Sequence, residues 1–209
     1  MNDRQPQQAN TDEQPPLAMD DEQQRRAGLY QLLAALLRDA PSADVLDYAQ
    51  QLDTEGERGT PLAMAFSSLA LAARHSNPNA LRHEYHSLFI GLGRGELVPY
   101  GSWYLTGFLM EKPLGVLRQD LARLGFERAE GVHEPEDHIG ALCEVMAYLV
   151  ADAVPEADQK AFFDAHLGSW AAQFFDDLAS APSAVFYRSV ARIGRAFVDM
   201  ENRYLALHD

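Results

Sequence analysis

Apolar residues recur at spacings of three and four along most of this chain, and that periodicity limits the fold more than any other feature of the sequence. This spacing places apolar side chains on one face of a helix, whereas a half-buried strand needs two-residue alternation, which is nowhere convincing here. The pattern predicts an all-α fold, a single-domain helical bundle that buries its apolar faces together. The stripes are Leu29, Leu32, Leu33, Leu36 and Leu37; Leu81, Tyr85, Leu88 and Phe89; Leu114, Leu117, Leu121 and Leu124, followed by Gly125 as a helix C-cap; Phe163, Leu167, Trp170, Phe174 and Leu178; and Phe186, Val190, Ile193, Phe197, Met200, Tyr204 and Leu207.

The first 24 residues differ in composition from the rest of the chain, since they are rich in Gln, Pro, Asn and Asp and have little to bury. Such a segment cannot offset the entropy lost on ordering, so we predict a disordered tail over residues 1–24. The remainder has short loops and no long Pro/Ser/Gly linker. We therefore expect residues 25–209 to form one all-helical domain.

The net charge of the chain limits the kinds of molecule that it can bind. The chain carries 31 Asp and Glu against 17 Lys and Arg, a formal net charge of -14. This charge repels phosphate backbones and anionic lipid headgroups, so it argues against nucleic-acid binding and favours a basic partner. Cys143 is the only cysteine, which excludes an intrachain disulfide and a cysteine-based zinc site and suits a reducing compartment.

The pair Arg25-Arg26 precedes an apolar segment, an order that also occurs in export signals. Here acidic residues come before the pair, Gln31 interrupts the apolar run, and Arg38 and Asp39 close it. We interpret the segment as a first core helix. No stretch is long and apolar enough to span a bilayer, and we expect the protein to stay in the cytoplasm.

Aromatic residues surround a glycine-rich segment between Glu84 and Tyr104. Aromatic side chains around a loop are typical of a surface that binds a peptide. The helical spacing of Tyr85, Leu88 and Phe89 favours packing in the wall of such a site, whereas Trp103 and Tyr104 follow the loop and are better candidates for exposed anchors. Ser102 has the alternative of capping the next helix.

A second block, Glu134-Pro135-Glu136-Asp137-His138, runs directly into an apolar segment. Because proline is tolerated in the first turn of a helix, we expect Pro135 to open one, with Glu136 and Asp137 near its positive end. For Asp137, helix capping and ligand binding are equally compatible with the pattern. His138 projects over the apolar stripe of Leu142, Val145 and Leu149, a position more typical of a hydrogen-bonded core histidine than of a ligand.

Four blocks carry a family resemblance: Tyr85-x-x-Leu88-Phe89, Pro99-Tyr100-x-Ser102-x-Tyr104, Glu134-Pro135-x-Asp137-His138 and His166-Leu167-x-x-Trp170. In this order they resemble the TorD/DmsD family of cytoplasmic chaperones for molybdenum enzymes. The resemblance implies a non-enzymatic protein that binds the twin-arginine signal peptide of an apo-oxidoreductase, holds back its export and assists cofactor insertion. One departure is the glycine-rich loop from Gly91 to Val98, where many relatives carry more proline.

The resemblance also implies a set of peptide-binding residues and partners. A twin-arginine signal has a basic front and an apolar middle, so carboxylates beside an aromatic groove suit it. Formate dehydrogenase and the dimethyl sulfoxide or trimethylamine N-oxide reductases are the expected clients, and the chaperone is expected to be a monomer or a domain-swapped dimer. The residues carried over are Leu88, Phe89, Pro99, Tyr100, Ser102, Trp103, Tyr104, Glu134, Pro135, Asp137 and His138.

Other functions fit the sequence less well. A di-iron bundle needs two Glu-x-x-His pairs, and only Glu130-x-x-His133 has that spacing, so we expect no metal site. Because the resemblance implies a non-enzymatic role, we also expect no catalytic residues. The segment Gly91 to Gly95 lacks the Gly-Lys-Ser/Thr ending of a P-loop. The resemblance implies no firmly bound cofactor, only a weak contact with GTP or the molybdenum cofactor that it assigns to no residue. The alternative function is a helical adaptor or regulatory protein with weak guanine-nucleotide binding.

Overall fold

The computed structural model describes residues 21–52, 59–131 and 133–207 of the chain. Within these ranges the chain is helical and contains no β-strand, which confirms the predicted all-α fold. The α-helices are α1 (Asp21–Arg38), α2 (Ala43–Gln50), α3 (Pro61–Arg74), α4 (Pro78–Tyr85), α5 (Gly101–Thr106), α6 (Lys112–Arg123), α7 (Ile139–Ala151), α8 (Glu156–Phe163), α9 (Ala171–Ser180) and α10 (Tyr187–Ala206). Wider π-helical turns follow α4 at His86–Ile90 and α8 at Asp164–Gly168.

Helix α1 lies along α7, while α10 packs on α9 and α3, and α2 packs on α3. The five leucines of the first predicted stripe are buried in α1, and Leu142 and Met146 are buried opposite them in α7. The buried side chains of these helices form one core, in which each large apolar side chain contributes about 1.5–3 kcal/mol. Cys143 lies in this core, where burial raises the pKa of its thiol to about 12.

The predicted stripes match the buried faces with two local differences. The stripe from Phe163 to Leu178 is buried throughout, but it crosses α8, a π-helical turn and α9. The last stripe leaves the core at its end, because α10 stops at Ala206 and Leu207 is 81% exposed. Gly125 follows the end of α6 with a φ of 82°, the left-handed conformation expected after a helix C-cap.

The predicted boundary of the tail falls inside α1. Residues 21–24, which the composition assigned to the tail, form the first turn of this helix, where Asp21 and Glu22 complement the positive end of the helix dipole. The other residues of the predicted tail, 1–20, lie outside the described ranges. None of the helices in those ranges is long and apolar enough to cross a membrane.

An ion pair is buried inside the bundle. The Arg26 guanidinium donates from Nε and Nη2 to the two carboxylate oxygens of Glu201 at 2.7 and 2.8 Å, and the two side chains are 1% and 0% exposed. Tyr30 donates its hydroxyl to Glu201 Oε2 at 2.9 Å, and Arg26 Nη1 donates to Gln159 Oε1 at 3.0 Å. These bonds join α1, α8 and α10, so the second arginine of the Arg25-Arg26 pair is a core residue of the first helix.

Candidate functional site

The glycine-rich loop between α4 and α5 is held at both ends. Gly91 has a φ of 60° and donates its amide to His86 O at 2.7 Å. A Cβ on Gly95 would lie 2.5 Å from Leu88 O, so the loop needs glycine where it returns over the preceding π-helical turn. Glu96 accepts a hydrogen bond from Ser183 N at 3.1 Å. The loop is therefore anchored to the connection between α9 and α10, with its tip in solvent.

The first predicted block forms a wall behind this loop. Leu88 is completely buried, and the partly buried Phe89 ring packs edge-on against Tyr187 with ring centroids 5.4 Å apart. Glu84, for which the sequence suggested no role, accepts hydrogen bonds from the backbone amides of Val185 and Tyr187 at 2.7 and 2.8 Å. The block thus caps the start of α10 and supports the wall, as the helical spacing indicated for Leu88 and Phe89.

The N-terminus of helix α5 is capped by Asp137, which lies in a distant segment of the chain. The Asp137 main-chain oxygen accepts from Gly101 N at 2.9 Å, and its Oδ2 accepts from Ser102 N at 2.7 Å. Asp137 is 3% exposed, and its Oδ1 has no hydrogen-bond partner among the described residues. Buried Pro99 accepts from Ile139 N at 2.8 Å, which ties the two predicted blocks together. Asp137 is therefore a helix-capping carboxylate, but for α5 and not for the helix that follows it.

The second block differs from its sequence-based prediction at the helix start. Helix α7 begins at Ile139, and Pro135 lies four residues earlier in a turn closed by a 3.2 Å bond from His138 N to Pro135 O. His138 is the N-cap residue, so it does not project along the apolar face of α7. Its Nδ1 accepts from Gly140 N at 3.1 Å, and burial lowers the pKa of His138 to about 4, which keeps the ring neutral.

The fourth block packs against α5 through the Trp170 ring. The Trp170 indole donates to His166 O at 2.7 Å, and His166 Nε2 lies 2.8 Å from Asp120 Oδ2. The Tyr104 ring stacks on Trp170 with centroids 5.3 Å apart, and its hydroxyl donates to Asp177 Oδ2 at 3.0 Å. Tyr104 therefore uses much of its ring inside the protein, whereas the other predicted anchor, Trp103, is half-buried and faces the tip of the glycine loop.

The largest exposed apolar feature next to these blocks was not anticipated from the sequence. Leu105, Phe108, Leu109 and Met110 form an apolar turn between α5 and α6, with exposed fractions of 43%, 68%, 47% and 72%. Buried Ser102 fixes the turn by accepting from Met110 N at 3.2 Å through its hydroxyl, so it does not serve as a helix cap. The sequence does contain a signal for an exposed turn here, because these apolar residues flank Gly107 directly after the aromatic block and precede the charged start of α6.

Carboxylates lie beside α5 in an acidic loop, residues 134–136. The Tyr100 hydroxyl donates to Glu134, whose side chain is exposed, and Tyr100 also packs edge-on against the His138 ring. Partial burial favours the neutral form of Glu136, but the hydrogen bond from Arg118 and the charge of Arg128 outweigh it and lower the pKa of this carboxyl. Both glutamates line a surface cavity of about 540 Å³ that extends to α7.

Within the described ranges, no group of three or more His, Cys, Asp or Glu side chains could hold a metal ion. Glu130 and Gly131 lie in a turn outside any helix, as the glycine suggested. The geometry offers instead a rigid, aromatic-backed surface with an apolar part and an acidic part, which suits a peptide.

The comparisons with known proteins define the class. The chain is 28% identical to Chaperone protein TorD of Aeromonas salmonicida over 204 residues, which cover 88% of this chain and 92% of that one. TorD of Vibrio atlanticus is 24% identical over 206 residues, covering 88% and 95%. A solved structure described as a redox enzyme maturation protein from Archaeoglobus fulgidus has the same fold, with a TM-score of 0.57, 22% identity and coverage of 83% and 93%. The class is that of maturation chaperones, which is not an enzymatic role.

The family follows from a match to a family model. The family model described as nitrate reductase delta subunit matches residues 55–176, more than half of the chain and a range that includes all four blocks. The chain belongs to this family, which includes the TorD chaperones of molybdoenzyme maturation. The resemblance inferred from the four blocks is confirmed.

Proposed function

We propose that this chaperone acts in the cytoplasm by binding the twin-arginine signal peptide of an apo-molybdoenzyme, so that export waits until the cofactor is inserted. The observation that carries the proposal is the exposed apolar turn beside the acidic loop. The client would be a formate dehydrogenase or a dimethyl sulfoxide or trimethylamine N-oxide reductase, and the chaperone a monomer or a domain-swapped dimer.

The apolar turn suits the apolar middle of a signal peptide. Leu105, Phe108, Leu109 and Met110 are exposed around the end of α5, and the hydrogen bond between Ser102 and Met110 holds them in place. Covering a large exposed apolar side chain contributes up to about 1.5–3 kcal/mol before the cost of ordering the peptide. Several such contacts supply enough free energy for micromolar binding, which corresponds to about 8 kcal/mol.

The acidic loop suits the arginines at the front of the peptide. Glu134 is exposed and lies next to α5, because its carboxylate accepts from the hydroxyl of Tyr100. A guanidinium can pair with such a carboxylate through two parallel hydrogen bonds. The net charge of -14 adds attraction for a basic peptide, although salt screens it beyond about 8 Å.

The predicted peptide-binding residues then divide into three groups. The buried ones, Leu88, Pro99, Ser102, Asp137 and His138, hold α5 and the acidic loop in position. We assign contact with the peptide to the exposed Glu134 and to the partly exposed Tyr100, Trp103 and Pro135. Phe89 and Tyr104 are also partly exposed, and they pack their rings on Tyr187 and Trp170.

Isothermal calorimetry tests the proposal. The full chain is titrated with the signal peptides of the molybdoenzymes encoded beside its gene, and each peptide is repeated with its two arginines replaced by glutamine. We expect micromolar binding of at least one natural peptide and a weaker signal, by about tenfold or more, from its glutamine version. An absence of binding by every natural peptide would falsify the proposed function.

A further inference from the structure

The tip of the glycine-rich loop places an arginine on a half-buried aromatic ring of the site. The Arg94 guanidinium carbon lies 5.0 Å from the centroid of the Trp103 ring. A guanidinium at this distance from the face of an indole makes a cation–π contact, for which tryptophan is the best partner among the aromatic side chains. The chain thus shows directly that Trp103 accepts a guanidinium.

Arg94 is held differently from the arginines that pair with carboxylates. Arg26, Arg118 and Arg195 each pair with a carboxylate. Within the described ranges no carboxylate forms an ion pair with Arg94, although the chain has 31 acidic residues. Its placement therefore depends on the indole and on the backbone of the loop.

The loop backbone aims Arg94 at this ring. Gly91 and Gly95 have the close backbone contacts described above, and Glu96 is bonded to Ser183. The tip between the two glycines, residues 92–94, is exposed, and its backbone is close to Gly91, where a Cβ would clash with Arg94 O. A tip held at both ends keeps the guanidinium near Trp103 without burying it, so a competing cation can displace it.

We infer that the face of Trp103 is an arginine-binding position of the peptide site, and that Arg94 is its resident occupant until a client arginine replaces it. The inference rests on the proposed function, because it assigns a contact within the same signal-peptide site. Trp103 lies between two parts of the site in the sequence. Tyr100, three residues earlier, donates a hydrogen bond to Glu134, and Leu105, two residues later, belongs to the apolar turn. An arginine on this ring would therefore enter between the acidic loop and the apolar turn.

Replacing Arg94 with alanine tests this assignment. The Arg94→Ala chain should bind a twin-arginine signal peptide about two- to fivefold more tightly, because the client arginine no longer displaces an internal cation at an exposed site. The matched control is Arg203→Ala, which makes the same change of net charge on an exposed residue of α10. Arg203 lies 16 residues beyond the start of that helix, about 24 Å from the end that holds the glycine-rich loop.

A double-variant comparison isolates the indole. In a Trp103→Leu background, Arg94→Ala should leave the affinity for the natural peptide unchanged. In the chain that keeps Trp103, Arg94→Ala should leave unchanged the affinity for the peptide whose arginines are replaced by glutamine. The chain has two tryptophans, and Trp170 is only 2% exposed, so acrylamide quenching of fluorescence reports mainly on Trp103. Quenching should rise in Arg94→Ala and fall again when the natural peptide is added.

The outcomes separate this assignment from the proposed function. If the natural peptide binds and Arg94→Ala gives the same or a weaker affinity, or tightens it no more than Arg203→Ala does, the assignment is wrong and signal-peptide binding stands. Equal tightening in the Trp103→Leu background also overturns it. If no natural peptide binds any variant, both the assignment and the proposed function fail.

Discussion

Glu201→Ala is expected to lower the free energy of unfolding by about 3–5 kcal/mol, the largest single-residue effect that the structure predicts. The reason is the partner left behind, since Arg26 is 1% exposed and loses both of its bonds to the carboxylate. Tyr30 loses the acceptor of its hydroxyl in the same substitution. Urea unfolding followed by circular dichroism measures the loss.

Two variants serve as controls for this effect. Glu144→Ala breaks the exposed Arg38–Glu144 pair, whose side chains are 37% and 45% exposed, and should cost less than about 1 kcal/mol. The double variant Arg26→Met with Glu201→Leu removes both charges and should recover most of the stability. A Glu201→Ala chain as stable as Glu144→Ala would show that the buried pair does not hold α1 to α10.

Phe108→Asp is expected to weaken signal-peptide binding at least tenfold while leaving the stability of the chain nearly unchanged. The Phe108 side chain is 68% exposed, so its replacement removes little from the core. In the complex the Phe108 ring would be covered by the apolar middle of the peptide. Removing the ring and introducing a carboxylate there should lower the binding free energy by about 1.5–3 kcal/mol or more. Calorimetry with the natural peptide measures the change.

Leu71→Asp is the matched control for this substitution. Leu71 lies on α3, is 58% exposed and receives the same negative charge, but it is not part of the apolar turn. It should leave the affinity within about twofold of the unmodified chain. Equal weakening by the two variants would mean that net charge, and not the apolar turn, governs binding.

The fold was predictable from the sequence because a bundle needs only apolar stripes that helices can bury together. The α1 stripe is buried as predicted, and Gly125 adopts the left-handed conformation that ends α6. The π-helical turn at Asp164–Gly168 was not predictable in this way. An i, i+3, i+4 pattern continues across such a turn, since the spacing of apolar residues changes by only one position.

The roles within the site were less predictable because they depend on contacts between distant segments. Asp137 caps a helix 36 residues earlier, starting at Gly101, and Glu84 caps one that starts at Tyr187. Neither partner is visible in a local pattern. The motif residues that carried the family resemblance, such as His138 and Trp170, are mostly buried. They preserve the shape of the site, whereas the exposed apolar turn lies outside the motifs and was overlooked.

Hydrogen–deuterium exchange of the backbone amides, measured with and without a natural twin-arginine signal peptide, shows whether the peptide covers the apolar turn and the acidic loop. Exchange should slow at residues 103–110, and at His133, Glu134 and Glu136, when the peptide is bound. Another surface is available for comparison, a groove of about 480 Å³ between α3, α9 and α10 lined by Met64, Arg192 and Arg195. Protection confined to that groove, or no protection at the apolar turn and the acidic loop, would contradict the account.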